Sequence, residues 1–98
     1  NLPQVALREA DEETGLHGLS VDPSIFDLDA HEIPARMSEP AHWHYDVRFV
    51  VRCTGSGAFN ANDESRAMTW RPVSGIAMDA HIDPSIRRMA RRWLTRTR

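Results

Sequence analysis

The sequence predicts a mixed α/β fold, and three observations predict it. An amphipathic helical pattern opens the chain, alternating apolar and polar residues fill its middle, and a second amphipathic helical pattern closes it. Ninety-eight residues allow one small domain at most. No linker, internal repeat or low-complexity tract divides the chain.

Residues 3–14 read as the first helix. Pro3 suits a first turn, and Gly15 suits the left-handed residue that ends a helix. Pro3, Ala6, Leu7, Ala10 and Thr14 step by threes and fours along a small, apolar stripe. Glu9, Glu12 and Glu13 project from the other side, within roughly a third of the circumference. Like charges at these separations destabilise a helix by a few tenths of a kcal/mol per pair. Arg8 offsets part of that repulsion, and a hard divalent cation would offset more.

Residues 16–21 form a short strand entered through Gly15 and Gly18, and Asp22-Pro23 breaks it. In 25–33, Phe26, Leu28 and Ala30 alternate with Asp27, Asp29 and His31, which predicts a strand. The two prolines of 34–41 make that stretch a loop. Residues 42–54 read as one long strand, with Trp43, Tyr45, Val47, Phe49 and Val51 on one face and His42, His44, Asp46, Arg48 and Arg52 on the other. A polar, glycine-containing loop covers 55–63. A strand over 65–71 follows, with Met68 and Trp70 on a common face, then a short helix over 73–78. Asp83-Pro84 opens the final helix with a capping aspartate and a proline at its first position. Ile86, Met89, Ala90, Trp93 and Leu94 form its apolar stripe, surrounded by arginines 87, 88, 91, 92, 96 and 98.

Charge is unevenly placed. Residues 1–50 hold three arginines against ten acids, net −7, while residues 51–98 hold nine arginines against four acids, net +5. All twelve basic residues are arginine, a usage that fits a GC-rich bacterial genome. The arginines of the last helix flank an apolar stripe without interleaved exposed aromatics, so a solvated face is favoured over a nucleic-acid surface. Cys53 is the single cysteine, which excludes a disulfide framework and points to a half-buried strand residue. No apolar run has membrane-spanning length and no signal peptide is visible, which makes the cytoplasm the default.

The densest chemistry lies in Arg8-Glu9-Ala10-Asp11-Glu12-Glu13-Thr14-Gly15-Leu16. This run resembles the second half of the Nudix box, G-x5-E-x7-R-E-U-x-E-E-x-G-U, where U is a bulky aliphatic residue. Six fixed positions match, counting Leu16, and Ala10 fills the other U slot with a smaller residue than usual. A chance match in so short a chain has odds on the order of one in ten thousand or less. Counting back, the family's first glutamate would stand immediately before Asn1 and its glycine six residues further upstream. The resemblance therefore predicts a chain cut one residue inside the motif and covering roughly the last two thirds of one Nudix domain. It implies a Nudix-type α/β/α sandwich with a mixed β-sheet, its N-terminal strands missing.

The resemblance also implies an activity, Mg²⁺-dependent hydrolysis of a pyrophosphate bond in a nucleoside diphosphate derivative or related metabolite, with Mn²⁺ as a substitute ion. Glu12 and Glu13 are then the foremost metal ligands. Glu9 is a further ligand or the base that takes the water's proton, and Arg8 orients these glutamates by ion pairing. Glu64 is the candidate for a fourth acid distant in sequence, against the alternative of a solvated acid at a strand start. The isolated chain is expected to turn over weakly or not at all. The partner is a small pyrophosphate substrate, and a homodimer is compatible with the sequence.

His42, His44 and Asp46 offer metal-binding atoms on one strand face, but alternate positions spread them over about 13 Å, too far for one ion. Their readings are substrate or phosphate contact, a second metal if the strand bends, or simply a polar sheet face. A histidine-rich strand running into Asp-x-Arg-Phe also resembles some Nudix subgroups. Arg36 and Arg48 could grip phosphate oxygens through the guanidinium fork, or serve as surface ion-pair partners. Two rival functions accompany the enzyme: a non-catalytic Nudix-fold ligand-binding module, and a nucleic-acid-binding domain using the arginine-rich last helix.

Overall fold

The first helix, α1 (Leu2–Thr14), starts where Asn1 can cap it: the Asn1 side-chain oxygen accepts the Gln4 N–H at 3.0 Å. It stops at Gly15, whose φ of 64° is left-handed and whose N–H donates to the Asp11 carbonyl at 2.9 Å. The structure, a computed structural model, describes residues 1–59 and 67–96, arranged as two compact units, Asn1–Arg66 and Ala67–Arg98.

In the first unit α1 is followed by β1 (Leu19–Val21), β2 (Asp27–Ile33), β3 (His42–Arg48) and β4 (Val51–Cys53). The class is mixed α/β. Both ladders are antiparallel and two-stranded, β1 with β4 and β2 with β3. The small stripe of α1 is half-buried and packs toward β1 and β4, while its glutamates face solvent. Leu16, directly behind the helix, is 5% exposed and is the buried apolar residue of this unit among the described residues. Thr14 closes that corner: its hydroxyl donates to the Ala10 carbonyl and accepts the Leu16 N–H.

The single strand expected over 42–54 is instead two strands in two ladders. Its partner strands are separated by five residues, 22–26, whereas only Phe49 and Val50 separate β3 from β4. Asp22 and Pro23 turn the chain there, with the Asp22 carboxylate accepting the Ser24 N–H. The surplus of three residues shifts the register, so one continuous ladder is impossible. Backbone bonds from Asp22 N–H to the Val50 carbonyl and from Phe26 N–H to the Arg48 carbonyl, both 2.9 Å, bracket the gap. Trp43 and Tyr45, expected on an apolar face, are 58% and 64% exposed.

In the second unit, α2 (Val73–Met78) packs against α3 (Pro84–Arg96) around Ala77 and Ala90, each 7% exposed. Asp83 caps α3, its carboxylate accepting both the N–H and the hydroxyl of Ser85. Arg96 lies over the Trp93 ring, 5.7 Å from its centroid. The strand expected over 65–71 does not form in its described part, 67–71. Two alternating apolar residues before Pro72 are too few to hold an extended ladder. Trp70 is 59% exposed and Arg71 engages Asp79 at 3.2 Å. Among the described residues no helix is long and apolar enough to cross a membrane.

Candidate functional site

Two groups of chemistry-bearing residues stand out in the first unit. One is the exposed face of α1. Glu9, Glu12 and Glu13 share it, and Arg8 Nε lies 3.9 Å from Glu12 Oε1. Both partners are mostly exposed, so the pair contributes a few tenths of a kcal/mol and acts chiefly to orient Glu12. Glu9 and Glu13 are both exposed. On a different stripe of α1, that of Gln4, Leu7, Arg8 and Asp11, a cavity of about 350 Å³ is also lined by Leu16, His17 and Gly18, and none of the three glutamates lines it. It places the arginine and the closing leucine of the motif on one wall system, together with an imidazole.

The second group is the polar face of the β2–β3 hairpin. Antiparallel register sets Asp27 opposite Arg48, Asp29 opposite Asp46 and His31 opposite His44. Asp27 is 2% exposed, and Arg48 Nη1 donates to its carboxylate at 3.2 Å. The other guanidinium nitrogen, Nη2, stands 3.8 Å from Asp29 and 3.6 Å from Asp46. One arginine thus compensates three carboxylates. That arrangement relieves Asp29 and Asp46, which as like charges directly opposite would repel. His44 Nε2 donates to Asp46 Oδ1 at 3.0 Å, His31 Nδ1 lies 3.6 Å from Asp29, and the two imidazole rings are 5.1 Å apart.

No protein-family model, curated protein or solved structure matches this chain.

The residues singled out in the sequence are therefore distributed among distinct places. Arg8, Glu9, Glu12 and Glu13 share one helix. His44 and Arg48 join the hairpin's polar face, where Arg48 is held by aspartates of its own hairpin. His42 sits at the end of β3 opposite Ile33, its Nδ1 3.1 Å from the Pro40 carbonyl. Arg36 is exposed in the connection between the strands, where its backbone exchanges hydrogen bonds with Glu39. Glu64 lies outside the described residues. Sequence reasoning placed Asp27, Asp29 and His31 on one strand face without a role. The signal was present: D-x-D-x-H at 27–31 is matched in reverse by H-x-D-x-R at 44–48, and antiparallel pairing aligns the two.

Proposed function

We propose that this chain is a Mg²⁺-dependent pyrophosphohydrolase of the Nudix type, acting in the cytoplasm on a nucleoside diphosphate derivative or related metabolite. In this reading its helices and strands belong to a Nudix α/β/α sandwich. The observation that carries the proposal is the motif on its helix. Arg8-Glu9-x-x-Glu12-Glu13-x-Gly15-Leu16 lies on α1 with the glutamates on one exposed face, left-handed Gly15 ending the helix and buried Leu16 anchoring it.

The donor set fits the ion. Mg²⁺ prefers carboxylate and water oxygens, and the exposed face of α1 offers three carboxylates at helical spacing. Glu12 and Glu13 would hold it, with Glu9 as a further ligand or as the base toward water. Bound there, the ion would neutralise phosphoryl oxygens and make water a better nucleophile. Arg8, 3.9 Å from Glu12, would orient that carboxylate by ion pairing. The cavity on the Leu7–Asp11 side of the same helix has the volume of a small-ligand pocket; its Arg8 and His17 would supply polar contacts for an anionic substrate, while Asp11 on the same lining would oppose one. Catalysis of this kind rests on positioning and charge neutralisation rather than on a covalent intermediate.

The test is release of phosphate or mononucleotide from a panel of nucleoside diphosphate derivatives in Mg²⁺, with protein in high concentration because turnover by this chain is expected to be weak. Glu13→Gln should nearly abolish whatever release is seen. Release that this substitution leaves unchanged contradicts the assignment. Metal and ligand binding without release would instead favour the non-catalytic module.

A further inference from the structure

We propose that the β2–β3 hairpin carries a second cation site, selective for a transition-series divalent ion, with Asp29, His31 and Asp46 as ligands. The ligand atoms of these three side chains lie within 4.8 Å of one another. This site is independent of the Mg²⁺ reading of α1 and uses none of its residues.

Geometry makes the difference between this set and the one visible along β3 alone. Three alternate residues of a single strand spread over about 13 Å. A cross-strand rectangle is far smaller: neighbours on one strand face are about 7 Å apart, and directly opposed residues about 5 Å. Asp29 and His31 occupy two corners of such a rectangle on β2, and Asp46 and His44 the other two on β3. Ligands at about 2.0–2.2 Å from a tetrahedral ion stand roughly 3.4 Å apart. The widest separation here exceeds that by little more than an ångström, which rotation of exposed or half-exposed side chains can close.

The donor chemistry sets the ion class. One imidazole nitrogen with two carboxylate oxygens suits Zn²⁺, Co²⁺ or Ni²⁺ better than Mg²⁺, which takes oxygen donors. His44 acts as a positioning residue: its N–H to Asp46 Oδ1 turns that carboxylate toward the site, as a hydrogen bond behind a metal ligand commonly does. The fourth coordination position is left to water. Arg48 opposes binding, since Nη2 stands within 3.8 Å of both aspartates. Its shorter bond to buried Asp27 holds the guanidinium at one end of the rectangle, away from the histidine end.

Co²⁺ titration of the full chain tests the site, because a bound Co²⁺ ion reports its geometry in visible absorption. One ion per chain is expected, displaced by Zn²⁺ and not by excess Mg²⁺. His31→Gln should weaken it about tenfold or more, and His44→Gln by a smaller factor. Glu13→Gln should leave Co²⁺ binding unchanged while removing Mg²⁺-dependent turnover, which keeps failure of this site distinct from failure of the α1 reading. A second readout needs no variant: Zn²⁺ should shift the imidazole NMR signals of His31 and His44 and leave that of His81 in place. No Co²⁺ binding up to millimolar concentration overturns the proposal. So does binding indifferent to His31→Gln, or Zn²⁺ shifts absent from His31.

Discussion

Gly18 and Gly55 stand where two backbone segments meet too closely for a side chain on either. A Cβ on Gly18 would lie 2.8 Å from the Gly55 nitrogen at a φ of 71°, and one on Gly55 would lie 2.5 Å from the His17 carbonyl oxygen. Each glycine-to-alanine change should therefore cost about 1–3 kcal/mol in urea unfolding. The double change should cost less than the sum, because both relieve the same gap. Arg48 is the other residue on which much depends. Its removal in Arg48→Ala leaves buried Asp27 without that partner and sets Asp29 against Asp46, so a loss of about 2–4 kcal/mol is expected in the same assay. In the second unit, the His81 N–H and then Arg71 hold the Asp79 carboxyl below its ordinary value of 3.8. Folded Asp79 releases its proton more readily than unfolded Asp79. Its contribution is thus complete above the ordinary carboxylate range and disappears as pH falls through the lower folded value. Thermal melts of wild type and Asp79→Ala should differ at neutral pH and converge in strong acid.

At the scale of elements, local signals were readable and pairing was not. The helical span of α1 and the start of α3 follow from Pro3, Gly15, Asp83 and Pro84, all of which act within one turn of their own position. The β-ribbon depends on how many residues oppose one another across two strands, and alternation along 42–54 carries no such information. Hence one strand was expected where two occur, and the hairpin's Asp29–Asp46 and His31–His44 oppositions went unread. Removing the surplus residues should join the two ladders. Deleting Pro23, Ser24 and Ile25 leaves two residues opposite Phe49 and Val50, so β1 and β2 should merge and β3 run unbroken into β4. Amide exchange across 48–51 should slow by about tenfold; unchanged exchange would show that something other than the surplus residues divides the ladder.

For the whole molecule, the sequence and the structure bear on function through different features. The α1 acids were legible because a helix displays residues three and four apart on one face, and every matched position lies within Arg8 to Leu16. The hairpin group became visible only with the fold, since it joins residues from two strands. In the proposed function the helix takes a hard cation, and in the further proposal the hairpin takes a transition-series cation. Paramagnetic broadening of backbone amides by Mn²⁺, used in place of Mg²⁺, tests the helix site. Broadening should centre on residues 9–13 of α1 and be lost in the Glu12→Gln, Glu13→Gln double variant. Amides of α1 that stay sharp at millimolar Mn²⁺, or broadening that survives the double variant, would contradict it.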